Sequence, residues 1–239
     1  MFGAAGRTRA AAVWFRGAGA GLAALGLGGC DGPLSTLDPA GPAASAIADL
    51  WWVMLAGAAV ISLIVFTLVA AAFLPSRPLA RVHWSRWPLW GGLAFPTVVL
   101  SALLVYALLQ GDRLRPQPAE DALEIHGTAR MWSWEFSAPD GSSPSRNVLR
   151  IPAGRPVDLH VTSADVIHSF WIPRLGGKMD AIPGHTNIIR LMADRPGTYR
   201  GVCAEFCGVG HSTMFLTVEA VAAESFDVAD AARASAVTP

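Results

Sequence analysis

Two thiols, an imidazole and a thioether stand on one short stretch near the C-terminal end of the chain: Cys203, Cys207, His211 and Met214, with Glu205 between the cysteines. His168 lies upstream, at the edge of a different predicted strand. All are soft or borderline metal donors. A closed zinc site wants four nitrogen or sulfur donors in a tetrahedron, and a thioether serves zinc poorly. Two imidazoles, a thiolate and a weak axial thioether are instead the donor set of an electron-transfer copper site. The additional thiol changes the stoichiometry. Two thiolates can bridge two copper ions and leave one imidazole for each, His168 on one and His211 on the other, with Met214 as a weak outer ligand and a loop carbonyl opposite it. The alternative is a Cys203–Cys207 disulfide, which an oxidising compartment permits, although it gives His168, His211 and Met214 nothing to do.

These donors must be carried by a rigid frame. From residue 118 onward, short alternating runs are separated by turn residues. Val157, Leu159 and Val161 alternate with Asp158 and His160, and Trp132, Trp134 and Phe136 alternate with Ser133 and Glu135, the period of half-buried strands. Proline–glycine punctuation near residues 139–141, 152–154, 183–184 and 195–197 separates these runs. Roughly a hundred residues of such strands predict a Greek-key β-sandwich over 118–221. The tail, 222–239, is alanine-rich without a period. His83, His126, His160 and His185 read as surface or structural side chains.

The remainder of the chain is apolar. Of 239 residues 52% are hydrophobic and only 15% charged, which excludes a simple soluble domain. Uncharged runs at 50–74 and 89–110 are each long enough to cross a hydrocarbon core of about 30 Å. The loop at 75–88 carries Arg77, Arg81 and Arg86 and no acid, so it is expected in the cytoplasm with both flanks outside. The multi-pass hairpin then sits in the bacterial inner membrane, with the C-terminal domain periplasmic. Eighteen basic side chains balance eighteen acidic ones, which leaves no charge excess for nucleic acid. Residues 1–29 have the shape of a secretory leader. Their end, Leu27-Gly-Gly-Cys30, resembles a bacterial lipoprotein cleavage box, which implies lipid on Cys30 and retention in the inner membrane by Asp31. Residues 30–49, rich in proline, alanine and glycine, read as an exposed extracytoplasmic linker.

The spacing C-x-E-x-C-G-x-x-H-x-x-M at 203–214, together with DVIHSFWIP at 165–173 and KMDAIPG at 178–184, resembles subunit II of the haem-copper terminal oxidases, the cytochrome c oxidase subunit II family. The resemblance covers nearly all of the chain after the leader. It implies a cupredoxin domain behind a two-helix transmembrane hairpin, and a binuclear copper A centre of two copper ions. Cys203 and Cys207 would bridge the ions, His168 and His211 would be terminal ligands, Met214 axial, and Glu205 a ligand through its backbone carbonyl. The Glu205 carboxylate would hold a magnesium or manganese ion shared with subunit I. The implied partners are subunit I with its haem and copper, subunit III, membrane lipid, and cytochrome c as donor. The implied activity is that of a cytochrome c oxidase, an electron-transfer subunit feeding oxygen reduction on subunit I.

Two departures stand out. Where the family has an exposed tryptophan that takes up electrons from cytochrome c, the alignment places Arg130, leaving Trp132 or Trp134 as substitutes, although alternating aromatics are usually core. Residues 87–96 carry no acid where the family has a glutamate linked to proton uptake, so proton uptake through this subunit is not expected. The quinol-oxidase branch of the family lacks the copper ligands that this sequence has in full. A second reading is a membrane-anchored cupredoxin that binds or senses copper without a catalytic partner.

Overall fold

The computed structural model describes residues 30–73, 84–116, 122–142 and 144–226. The leader at 1–29, Arg77, Arg81 and His83 of the loop, and the tail from 227 lie outside the described residues. Helix α1 runs over Pro42–Ala72, with proline in its first turn where the missing N–H costs nothing. A widened π-helical segment, Pro88–Ala94, leads into helix α2, Phe95–Arg113. Pro96 explains the widening, because it cannot donate to a carbonyl one turn back. Thr97 Oγ1 donates to Leu93 O at 2.7 Å and satisfies one carbonyl in this disturbed turn.

Both helices are long and apolar enough to span a bilayer, and the most apolar stretch of each turns its side chains outward. Trp51 and Trp52 stand at one end of the apolar stretch of α1, and Trp87 and Trp90 at the start of the second span, matching the aromatic belts found at membrane interfaces.

Ten strands follow: β1 (Leu123–Arg130), β2 (Ser133–Ser137), β3 (Ser145–Arg146), β4 (Val148–Pro152), β5 (Val157–Ser163), β6 (His168–Trp171), β7 (Lys178–Ala181), β8 (Asn187–Leu191), β9 (Gly197–Cys203) and β10 (Phe215–Val221). They form two five-stranded sheets, ordered β3-β2-β1-β5-β8 and β4-β10-β9-β6-β7. The β1–β5 and β4–β10 pairs are parallel and the others antiparallel. Five of the nine strand-to-strand connections cross between layers, giving a cupredoxin-type sandwich behind a two-helix hairpin. Val157, Leu159 and Val161 all point inward and are fully buried, as their alternation predicts. Trp134, Phe136 and Phe170 fill the centre, with Phe170 edge-on to both of the others. Each such side chain contributes on the order of 1.5–3 kcal/mol on burial. Gly201 sits where β9 passes β6, and a Cβ there would meet Ile172 and the Trp171 carbonyl, so only glycine fits that crossing.

The segment expected as an exposed linker is structured from within. The helix starts at Pro42, inside the 30–49 stretch, and Ala40, Ala44 and Ala48 are buried. Four-residue spacing puts Ala44 and Ala48 on one helix face, with Ala40 just ahead of the helix, and their small side chains let the backbone approach the sandwich closely. Ala40 donates to Arg174 O at 2.7 Å and accepts from Asp194 N at 2.9 Å. Arg174 also pairs with Asp38, at 2.8 Å to its carboxylate and 2.9 Å to its carbonyl. A Cβ on Gly41 would run into the backbone carbonyl of Met192. Gly41→Ala is therefore expected to pry the segment off the sandwich, read as faster proteolytic cleavage around residues 36–48 with the β-domain itself intact.

Candidate metal centre

Strand pairing assembles the site. Phe170 on β6 lies opposite Cys203 on β9, and Ala204 N donates to Ser169 O at 2.9 Å, so the last residue of β9 arrives beside His168, the first of β6. The β9–β10 connection then folds back on itself: Cys203 N donates to Met214 O at 3.0 Å and His211 N to Gly208 O at 3.1 Å. Gly208 takes φ of +111°, a conformation other residues rarely adopt. The result is a tight loop with Cys203, Cys207 and Met214 buried and His211 half-buried.

The donor atoms form a connected chain. His168 Nδ1 lies 3.9 Å from Cys203 Sγ, the two sulfurs are 3.9 Å apart, and Cys207 Sγ is 3.7 Å from His211 Nδ1. Met214 Sδ approaches Cys207 Sγ at 3.8 Å, and Glu205 O approaches Cys203 Sγ at 3.3 Å. His168, Cys203 and Cys207 put their ligand atoms within 4.8 Å of one another, and His211 joins at the far end, through Cys207. Both cysteines are free thiols, so the disulfide alternative is not what this geometry displays. Two central sulfurs with one imidazole at each end suit a bridged pair of soft ions better than one tetrahedral ion.

Neighbouring groups hold these donors in place. Asp165 Oδ1 sits 2.8 Å from His168 Nε2, which leaves Nδ1 turned toward the sulfurs. The same carboxylate accepts from Val166 N at 2.7 Å and Met131 N at 2.7 Å. Burial opposes ionisation of Asp165, but hydrogen bonds from His168 and the two amides outweigh it and hold the group at about 2, ionised throughout the neutral range. Burial, and then the adjacent Cys203, push the Cys207 thiol up from its usual range, so without metal it stays protonated. Binding must release that proton. Trp134 presents its ring edge-on to His168, with centroids 6.3 Å apart.

Sequence reasoning paired Trp132 with Trp134, and the structure separates them. Trp134 is fully buried. Trp132 is 38% exposed, lies in the turn between β1 and β2, and donates from Nε1 to Cys207 O at 3.1 Å. Its ring covers Gly208 and Gly210, and a Cβ on Gly210 would strike it. Arg130 points elsewhere, toward Glu135 at 3.6 Å. Phe206 and Val209 on the ligand loop are 77% and 92% exposed, and Met131, Val166 and Ile167, beside Asp165 and His168, are exposed as well. The Glu205 carboxylate is exposed and faces Lys178 at 3.6 Å, which in turn pairs with Asp180 at 2.8 Å. A hard divalent ion takes six or more oxygens, and a carboxylate already beside an ammonium does not fit an ion held by this chain alone. Cys30 is exposed.

The chain matches the family model described as cytochrome c oxidase subunit II, periplasmic domain, over residues 142–221. It is 32% identical over 219 residues to quinol oxidase subunit 2 of Bacillus cereus, covering 84% of this chain and 73% of that protein. It is 31% identical over 220 residues to cytochrome c oxidase subunit 2 of Alkalihalophilus pseudofirmus, covering 84% and 63%. Among solved structures, the periplasmic domain of subunit II of cytochrome oxidase from Bradyrhizobium japonicum shares 30% identity over 45% of this chain and 90% of its own, with a TM-score of 0.43. A haem-copper terminal oxidase dimer solved by cryo-EM has a chain 33% identical over 55% and 97%, also at 0.43. The sandwich behind two apolar helices defines a membrane-anchored protein with a periplasmic domain of this type. The chain belongs to the subunit II family of terminal oxidases.

Proposed function

We propose that this subunit accepts electrons one at a time from a periplasmic donor, a cytochrome c, at a binuclear copper A centre and passes them to a haem in subunit I, where oxygen is reduced to water. One observation carries the reading: four donors from two separated segments converge on a buried pair of free thiols 3.9 Å apart. Cys203 and Cys207 would bridge the ions, His168 and His211 would cap them, and Met214 and the Glu205 carbonyl would complete the set. A thiolate-bridged copper pair supplies a one-electron store whose coordination changes little between redox states. The protein's part is to bury the donors, fix the His168 ring through Asp165, and shield the loop with Trp132. The assembly would sit in the inner membrane as a two-span subunit beside subunits I and III, with a lipid on Cys30 as a further tether.

Trp132 is the side chain to take up electrons, because its ring is accessible and its N–H bonds the carbonyl of a bridging cysteine, whereas Trp134 is core. Trp132→Phe is expected to slow reduction by the donor by tenfold or more while copper content stays unchanged, read by stopped-flow kinetics. Asp165→Asn is expected to weaken copper binding by about 10- to 100-fold, because the carboxylate orients a ligand, read by chelator competition.

The deciding experiment is metal analysis with low-temperature electron paramagnetic resonance on the copper-loaded full chain. Two coppers per chain with a seven-line hyperfine pattern support the reading. A single copper with four lines that is lost in Cys203→Ser/Cys207→Ser overturns it in favour of a binding module, which also would not copurify with a large haem protein. The relatives named quinol oxidase subunit 2 raise a second reading, a quinol-oxidising enzyme, and absence of bound copper would bring it forward. The complete donor set argues against it.

A further inference from the structure

We propose that the outer face of the first sheet carries a separate, mononuclear site for a borderline divalent transition metal, such as zinc or cupric ion, nucleated by His126 and His160, onto which the exposed Glu124 side chain closes as third ligand. His126 on β1 and His160 on β5 are direct partners in the parallel register, and their ring centroids lie 5.3 Å apart at a 47° tilt. Neither ring makes a hydrogen bond or ion pair among the described residues, and both rings reach solvent. The two imidazoles are in ring contact across the strand pair, with their nitrogens otherwise uncommitted among the described residues. They form a two-nitrogen clamp of the type that zinc, copper and nickel select over calcium or magnesium.

The surroundings favour a cation. Glu124 precedes His126 by two residues and is therefore on the same face. It is exposed, and it makes no ion pair among the described residues. Its register partner Asp158 is held by Nε and Nη2 of Arg190, at 2.7 and 2.6 Å, so each charge neutralises the other and Glu124 keeps its own. The flanking partners are Ser137, opposite His126, and Ile188, opposite His160, neither of which brings positive charge. Two imidazoles and a carboxylate leave room for water in an open coordination shell. The site shares no residue with the cysteine cluster and does not depend on how that cluster is read.

The test is zinc titration of the full-length chain in detergent, followed by competition with a chromophoric chelator. His126→Asn and His160→Asn are each expected to remove one zinc equivalent, with a loss of affinity above about a hundredfold, while Cys203→Ser/Cys207→Ser retains that equivalent. Both histidines lie on the outer face, so an unchanged thermal midpoint checks that the variants fold. A second readout is cupric loading, which should give a four-line signal with two-nitrogen superhyperfine structure that disappears in either histidine variant. Zinc stoichiometry unchanged in both histidine variants overturns the proposal. With Glu124→Gln, a drop of about tenfold is expected, and no drop overturns the carboxylate's part.

Discussion

If the cluster holds the proposed copper pair, Cys207→Ser is expected to abolish it, whereas loss of the outer donor Met214 should leave it in place. Cys207 is the junction of the cluster: its sulfur lies within 3.9 Å of Cys203 Sγ, His211 Nδ1 and Met214 Sδ. A hydroxyl is a hard donor that does not ionise at neutral pH and cannot bridge soft ions. Substitution of groups that merely orient a ligand already costs about 10- to 100-fold in affinity, so loss of the bridging atom should exceed that. The expected readout is zero or one copper at the cluster by metal analysis, no seven-line signal, and no electron transfer from the proposed cytochrome c donor. Met214→Leu, which removes only a weak outer donor, should keep two coppers and shift the reduction potential. Retention of both coppers by Cys207→Ser would show that the thiols are not the bridge.

Trp134→Ala is expected to cost about 3–5 kcal/mol of stability, the range for truncating a large buried aromatic. The ring is fully buried, stacks with Phe136 at 6.4 Å, meets Phe170 edge-on at 5.5 Å, and faces His168. Its removal leaves a cavity directly behind a cluster residue, so copper affinity should fall together with the unfolding midpoint. Trp134→Phe separates the two contributions. The indole Nε1 has no hydrogen-bond partner among the described residues, so phenylalanine loses some contact area but also removes a buried unpaired donor. Its net cost should be well under half that of alanine, measured by denaturant unfolding. An equal cost for both variants would mean that ring shape, not burial, dominates this position.

Much of the centre was legible in the sequence because Cys203, Glu205, Cys207, His211 and Met214 share one loop, where spacing is geometry. His168 is 35 residues from Cys203; donor chemistry asked for a second imidazole, and the β6–β9 pairing supplied the reason it arrives there. The roles of Trp132 and Trp134 were not legible. Strict alternation puts both on one face, but the β1–β2 hairpin closes at Arg130 and Ser133, which leaves Met131 and Trp132 in a two-residue turn. Neither residue is a turn former of the asparagine–glycine kind, so no local signal marked the break. The docked segment was hidden for another reason. Alanines at 40, 44 and 48 carry too little hydrophobic contrast to display a helical period, and Asp38 and Arg174 meet across 136 positions. Pro42, a residue suited to a helix start, was the one available cue.

That docked segment has a practical consequence for anyone who wants the β-domain without its membrane anchor. A fragment begun near residue 118 omits the strip from Asp38 to Ala48 and so uncovers the floor it sits on, around residues 172–177 and 192–194. Arg174 would lose its counter-ion, the amide of Asp194 its acceptor, and the small-residue groove its filling. Such a fragment should self-associate through this raw patch, and grafting residues 36–48 ahead of β1 through a flexible tether should return it to a monomer.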